Sequence, residues 1–126
     1  MLITFCACSQ NGNCSDFKEG DFIVPSDSET NIPYQIIRKK DSQIEIVSDP
    51  EFSGTSYINI EWINDCSYIS KYDTSKMELT EFQKYINDNG GIVTEIIGFD
   101  GKCALLKSTL TVDGIADVIE SKLCPK

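Results

Sequence analysis

Residues 92–123 read IVTEIIGFDGKCALLKSTLTVDGIADVIESKL, and this stretch decides the fold class of the chain. Two Asp-Gly pairs, Asp100-Gly101 and Asp113-Gly114, separate runs that are rich in apolar and β-branched residues. Asp-Gly between such runs favours a two-residue hairpin, because both turn positions need a positive φ. We therefore predict a meander of three antiparallel strands. The apolar residues of the last run, 115–123, also fit one face of a helix, but we favour a strand.

Further strands are predicted upstream, from short runs of aromatic and β-branched residues that end at turn signals. These runs are Phe17–Val24, Tyr34–Lys39, Gln43–Ile46, Tyr57–Ile63 and Cys66–Tyr72. In the fourth run, alternation with period two places Ile58, Ile60 and Trp62 on one face. In the fifth run, we expect the face that carries Cys66, Tyr68 and Tyr72 to point inward.

One helix interrupts the strands. Ser75 and Glu78 fit a capping box, in which each side chain bonds the backbone of the other residue. Leu79, Phe82 and Ile86 follow at helical spacing, and Gly90-Gly91 would end the helix. The pattern predicts an amphipathic helix within residues 75–89 that packs on the sheet.

Together these elements predict an all-β fold with one inserted helix, in which about eight antiparallel strands form an up-and-down meander. That number of strands suffices to close a barrel that is filled or holds one small ligand, so a lipocalin-like (calycin) barrel is expected. A strongly curved open sheet is the alternative. Residues 14–126 are long enough to bury the core of a single domain.

Composition excludes several classes of function. The net charge is -9, and the longest basic run, Arg38-Lys39-Lys40, ends at Asp41, so no nucleic-acid partner is expected. The chain has no histidine, so a Ser-His-Asp or Cys-His nucleophile system cannot be built from it. No apolar run is long enough for a membrane helix. We expect no cofactor.

The six cysteines lack any C-x-x-C spacing, which favours disulfides in an oxidising compartment over buried free thiols or a metal site. If a leader is removed, four cysteines remain: Cys14, Cys66, Cys103 and Cys124. Sequence alone does not choose among their three connectivities. We lean towards Cys14–Cys66 together with Cys103–Cys124.

Residues 1–13 resemble the remnant of a signal peptide followed by a polar linker. Phe5-Cys6-Ala7-Cys8 looks like a degenerate lipobox, in which Cys8 would be the lipidated residue. Cleavage by a standard signal peptidase and an ordinary first strand that begins at Met1 are the alternatives. We therefore expect a protein of the cell envelope (periplasm or outer membrane) or a secreted one, with a lipid anchor as its sole membrane attachment.

Two stretches carry a family resemblance: CSDFKEGDF at residues 14–22 and WINDCSY at residues 62–68, with Arg38 and Gln43–Glu45 between them. They resemble a group of small secreted or lipid-anchored proteins of Bacteroidota, which often carry the automatic label DNA topoisomerase IV. That label does not fit this chain, because 126 acidic residues cannot hold the ATP-binding or catalytic-tyrosine domains of a topoisomerase. The resemblance supports fold and location, and it implies no catalytic residues.

Three residues are candidates for ligand binding. Trp62 and Tyr68 are aromatic residues with polar tips that would line a pocket if they point inward, although strand aromatics are more often plain core. Arg38 would meet an anionic ligand if it points inward, and it would otherwise be a solvated strand end. Glu45 and Glu61 alternate with apolar residues, so we expect both to face solvent.

Three functions follow from this reading. The first is a non-catalytic barrel that binds a small apolar or amphipathic ligand. The second is a structural or protein-interaction module with a filled core and a partner in the envelope. The third is a hydrolase that uses carboxylates alone, which requires two acids in one cleft.

Overall fold

The computed structural model describes residues 12–26, 32–48 and 54–126. Eight antiparallel strands form a closed barrel in which every strand pairs with its neighbours in sequence, which confirms the predicted fold class. The strands are β1 (Gly20–Val24), β2 (Tyr34–Arg38), β3 (Ser42–Val47), β4 (Gly54–Asn64), β5 (Ser67–Tyr72), β6 (Ile92–Asp100), β7 (Cys103–Val112) and β8 (Ile115–Pro125). A 3-10 helix (Cys14–Phe17) precedes β1, and the helix α1 (Glu81–Asp88) lies between β5 and β6.

The seam between β1 and β8 closes the barrel with a short run of paired residues. Phe22 pairs with Pro125 and Ile23 with Cys124, and the backbone N–H of Lys126 donates to the backbone oxygen of Asp21 at 3.0 Å. In contrast, β7 and β8 pair continuously from Ala104 with Leu123 to Val112 with Ile115. The last run is therefore a strand, as predicted, and it is held mainly by β7.

The two Asp-Gly hairpins differ. Asp113 and Gly114 occupy the β7–β8 turn with φ values of 52° and 78°, as predicted. In the β6–β7 hairpin, however, Asp100 still pairs with Cys103, so the turn residues are Gly101 and Lys102. This turn needs its positive φ at Gly101 (61°), and Asp100 stays in the strand, where its carboxylate accepts a hydrogen bond from Lys122 at 2.8 Å.

The predicted start of the helix is wrong. Thr80, not Ser75, caps α1: its hydroxyl accepts from the backbone N–H of Gln83, and the Gln83 side chain accepts from the Thr80 N–H. Ser75 instead donates to the Asp73 carboxylate at 2.6 Å and forms a turn after β5. Ile86 is buried in the contact with the barrel, whereas Phe82 is 67% exposed.

The 3-10 helix replaces the predicted beginning of the first strand. Cys14 is bonded to Cys66 in the β4–β5 connection, and this bond places residues 14–17 across one end of the barrel. The second disulfide joins Cys103 to Cys124, so both predicted bonds are confirmed. The pair indicates an oxidising, non-cytoplasmic location.

The 3-10 helix covers one end of the barrel, which we call the closed end. The main core cluster begins there and extends along the inside of the barrel; its nine buried residues are Cys14, Phe17, Phe22, Val24, Ile36, Ile96, Ala104, Leu106 and Leu123. A second cluster, Ile58, Ile60 and Tyr68, packs with Trp62 and Tyr72 on the inner faces of β4 and β5, as predicted. No helix in the described ranges is long and apolar enough to span a bilayer.

Candidate functional site: the barrel cavity

A cavity of about 430 Å³ occupies the barrel on the side away from the 3-10 helix. Its walls include Val24 at the end of β1, Tyr34 at the start of β2, Tyr72 at the end of β5 and Ile92 at the start of β6. Because neighbouring strands are antiparallel, these residues meet at one end of the barrel, which we call the open end. The cavity therefore has a closed floor and an open mouth.

The cavity wall combines apolar and hydroxyl-bearing side chains. Its apolar part includes Val24, Ile36, Ile58 and Leu106. Its hydroxyl groups belong to Tyr34, Tyr68, Ser70, Tyr72, Thr94 and Ser108, among others. The Thr94 and Ser108 hydroxyls lie 2.9 Å apart and hydrogen-bond each other across β6 and β7. Such a wall suits a molecule with an apolar body and a polar group.

Arg38 lies below the cavity floor. Its side chain is only 2% exposed, so the alternative of a solvated strand end is wrong. Nη1 donates to the backbone oxygen of Phe17, Nη2 to the Tyr68 hydroxyl and Nε to Oε1 of Gln43, each at 2.9 Å. The guanidinium thus ties the 3-10 helix to β3 and β5. It does not itself border the cavity.

Aromatic rings enclose the same guanidinium. Its carbon Cζ lies 4.6 Å from the ring centroid of Tyr68, 5.9 Å from that of Phe22 and 6.0 Å from that of Trp62. The faces of aromatic rings attract cations, and this attraction is stronger where water is excluded. Three oxygen acceptors and three rings therefore replace the hydration shell of Arg38.

Tyr68 and Trp62 pack against each other beneath the cavity with their ring planes tilted by 56°. Tyr68 forms part of the wall, and the Trp62 ring packs against it with centroids 4.8 Å apart. The indole N–H of Trp62 donates to the backbone oxygen of Lys40 at 2.9 Å, and the ring does not reach the cavity. Of the three predicted ligand-binding residues, Tyr68 alone borders the cavity, while Trp62 and Arg38 hold it in place.

Glu45 faces the cavity, so the expectation that it faces solvent is wrong. Its carboxylate oxygen Oε2 accepts a hydrogen bond from the Gln43 side chain at 2.8 Å. Burial raises the pKa of Glu45 above its usual range, because removal from water disfavours the charged form. The Gln43 hydrogen bond and the Arg38 charge lower the same pKa, but by less.

The prediction for Glu45 was wrong because β3 carries apolar residues on its outer face. Ile44 and Ile46 alternate with Glu45, which suggested that the isoleucines point inward. Instead, Ile44 lines a small groove on the outside of the barrel with Tyr57 and Lys76. The chain after β5 crosses this outer surface, where the Met77 sulfur accepts a hydrogen bond from the Tyr57 N–H at 3.3 Å. Because the chain after β5 covers the outer face of β3, isoleucines can point outward there and Glu45 can point inward.

Tyr34 and Tyr72 are ionisable groups whose pKa values are affected by the charge of Glu45. Burial, followed by the nearby Glu45 charge, raises the pKa of Tyr72 to about 12 and also raises that of Tyr34. Both hydroxyls therefore stay protonated near neutral pH and can donate or accept hydrogen bonds. They give the cavity polar groups without adding charge.

The helix α1 fixes the strand that carries Tyr72. Oδ1 of Asn87 accepts from the Tyr72 N–H, and Nδ2 of Asn87 donates to the Tyr72 carbonyl oxygen, each at 2.9 Å. The side chain of Asn87 thus replaces a strand partner at the end of β5. No pattern in the sequence indicates this role of Asn87.

A pair of carboxylates and a metal site are two other chemistries that this composition allows. Glu45 points into the barrel, whereas Glu61 on β4 is exposed, so these two acids do not share a cleft. Within the described part of the chain, no three cysteine or acidic side chains lie close enough together to bind a metal ion.

The sequence matches no protein-family model, no curated protein and no solved structure. Inference about function therefore rests on the cavity.

Proposed function

We propose that this protein is a non-catalytic β-barrel that binds one small amphipathic ligand inside its cavity. The observation that carries the proposal is the 430 Å³ cavity, whose wall combines apolar and hydroxyl-bearing side chains. Its volume lies within the range of about 300–1,000 Å³ that is typical of small-molecule sites.

The floor of the cavity supports this proposal because it is pre-formed. Arg38 makes three hydrogen bonds there, to the 3-10 helix, Gln43 and Tyr68. A ligand that enters a rigid site does not have to order the protein, so less of its binding energy is lost. The cavity also counts against a barrel whose interior is filled.

A protein-interaction role is the second candidate, favoured by a separate observation. Phe82 and Tyr85 on the outer face of α1 are 67% and 46% exposed. They are three residues apart on a helix and so lie on the same side. An envelope protein would be the partner in this case.

We further propose that the protein acts in the cell envelope or outside the cell, with Cys8 as a lipidation site. The two disulfides support an oxidising compartment, and Cys8 itself lies outside the described residues. Native mass spectrometry of the protein isolated from its host without refolding tests both proposals. Added mass that persists after unfolding would reveal a lipid on Cys8, and added mass that unfolding releases would reveal a bound ligand.

Binding itself is tested with N-phenyl-1-naphthylamine, a small apolar dye that is uncharged near neutral pH and fluoresces in apolar surroundings. We expect saturable binding with one site per chain. Ser121→Phe adds a ring to the cavity wall and should weaken dye binding at least about tenfold, because overfilling a packed interior is unfavourable.

The matched control is Thr111→Phe, which adds the same ring to an exposed position of β7. It should leave dye binding unchanged. Absence of saturable binding by the wild-type protein, or equal binding by the Ser121→Phe protein, would refute the ligand-binding function.

A further inference from the structure

Glu45 is the one acidic side chain on the cavity wall in the described part of the chain. Among the described residues, only Oε2 of its two carboxylate oxygens accepts a hydrogen bond, and that bond comes from the neutral Gln43 amide. No lysine or arginine there forms a salt bridge with it. A buried carboxylate usually has a cationic partner or several donors, and Glu45 has neither.

Arg38 does not fill this role. Its guanidinium is already surrounded by three oxygen acceptors and three aromatic rings below the floor. The Gln43 side chain stands between it and Glu45, with Oε1 towards Arg38 and Nε2 towards Glu45. The charge of Arg38 is thus stabilised where it lies, and one oxygen of Glu45 is left for a group that enters from the mouth.

The surroundings of Glu45 suit a positive charge. Tyr34 and Tyr72 border the same cavity and lie close enough to Glu45 for its charge to affect their pKa values. Their hydroxyl oxygens can accept hydrogen bonds from an ammonium group, and their rings can attract it. The net charge of -9 also favours the approach of cations over that of anions.

We propose that the ligand is a cationic amphiphile whose ammonium group pairs with Glu45 and whose hydrocarbon part lies against Val24, Ile36, Ile58 and Leu106. This inference rests on the proposed function, because it names the ligand class of the same cavity. An anionic amphiphile would place its charge beside Glu45, while Arg38 remains out of reach behind Tyr68 and the side chain of Lys71 is exposed to solvent. A neutral amphiphile would leave Glu45 without a charged partner.

Two probes with the same chain length separate these classes. n-Decylamine is protonated near neutral pH, and n-decanol is neutral. Each would compete with N-phenyl-1-naphthylamine for the wild-type protein, below the concentration at which it forms micelles. We expect decylamine to displace the dye at a concentration at least about tenfold lower than decanol, as for a desolvated charge pair.

Glu45→Gln tests whether the charge of Glu45 binds the amine, because the amide keeps the size of the side chain and removes its charge. Measured against its own affinities for the dye and for decanol, this variant should lose the preference for decylamine. Glu61→Gln is the control, since it removes one charge from an exposed position of β4. Both variants have the same net charge, so attraction of amines to the whole surface cannot explain a difference between them.

The pH dependence of decylamine binding provides a second test of the role of Glu45. The ionisable groups that face Glu45 are Tyr34 and Arg38 from β2 and Tyr68, Lys71 and Tyr72 from β5; the other strands contribute no ionisable group to the wall. Groups of these types do not usually change charge between about pH 5 and pH 7. Protonation of Glu45 should therefore weaken decylamine binding as the pH falls through the raised pKa of this residue, without affecting decanol.

Equal displacement by both probes, or a preference for decylamine that persists in the Glu45→Gln protein, would overturn the cationic ligand while leaving the ligand-binding function intact. Failure of the wild-type protein to bind the dye would overturn the proposed function, and the cationic ligand with it.

Discussion

At the scale of single residues, Arg38 and Glu45 show how this barrel places charge in its interior. Arg38 is stabilised by acceptors from the 3-10 helix, β3 and β5. A lysine at this position would keep the charge but could not bond three diverging acceptors at once. Glu45 receives a single hydrogen bond and faces the cavity. One charge is therefore part of the floor, and the other is open to a ligand.

Glu45 also makes stability depend on pH in a direction that is unusual for a carboxylic acid. Its pKa is raised in the folded protein, mainly by burial. The folded state then binds the proton more tightly than the unfolded state, in which the pKa is about 4.3. The stabilisation is complete below the unfolded pKa and is lost as the pH rises towards the folded pKa.

We therefore expect the free energy of unfolding of the wild type, relative to Glu45→Gln, to decrease as the pH rises from about 4 towards the raised pKa of the folded state. Urea denaturation of both proteins across this range measures the difference. Glu61→Gln, at an exposed position, should show no such trend relative to the wild type. Parallel pH profiles for wild type and Glu45→Gln would contradict a raised pKa.

At the scale of elements, the two disulfides should differ in their contribution to stability. Cys14–Cys66 spans 52 residues and Cys103–Cys124 spans 21. A longer loop restricts the unfolded chain more, so the loop-closure relation gives about 4 kcal/mol for the first bond and about 3 kcal/mol for the second.

Replacing each cysteine pair with serine and measuring unfolding by urea tests this order. The double variant at 14 and 66 should be the less stable one, and it should also lose the anchor of the 3-10 helix. The wild-type protein after reduction provides the control, because it should be at least as unstable as either variant. A more severe loss for the variant at 103 and 124 would show that strand pairing near the seam outweighs loop length.

The elements also show which features the sequence could predict. Alternating runs and turn signals identified the eight strands, because strand pairing between neighbours is a local property of the chain. The predicted start of α1 was wrong, because Ser75–Glu78 and Thr80–Gln83 both fit a capping box, and contacts of Met77 with Tyr57 on the barrel keep the first segment out of the helix. The β6–β7 turn lies one residue later than predicted, because Asp100 is held in the strand by Lys122.

At the scale of the whole molecule, the cavity was harder to predict than the barrel. Tyr68 was correctly expected on an inner face, since its strand alternates in the usual way. The inward position of Glu45 depends on the chain after β5, which covers the outer face of β3 and β4. Contacts of this kind join residues that are distant in sequence, so no local pattern reveals them.

Both disulfides lie at the closed end, with Cys66 in the β4–β5 connection and Cys103 at the start of β7. The molecule thus has the form of a cup. Its base, the closed end, is cross-linked by disulfides, whereas in the described residues its rim, the open end, is held by non-covalent contacts. Thermal fluctuations should be largest at the rim, where amide hydrogens near Ile115 would exchange with solvent much faster than those near Ala104. A guest molecule could then enter and leave while the closed end keeps its shape. Uniform hydrogen exchange along β7 and β8 would show instead that the barrel opens as one unit.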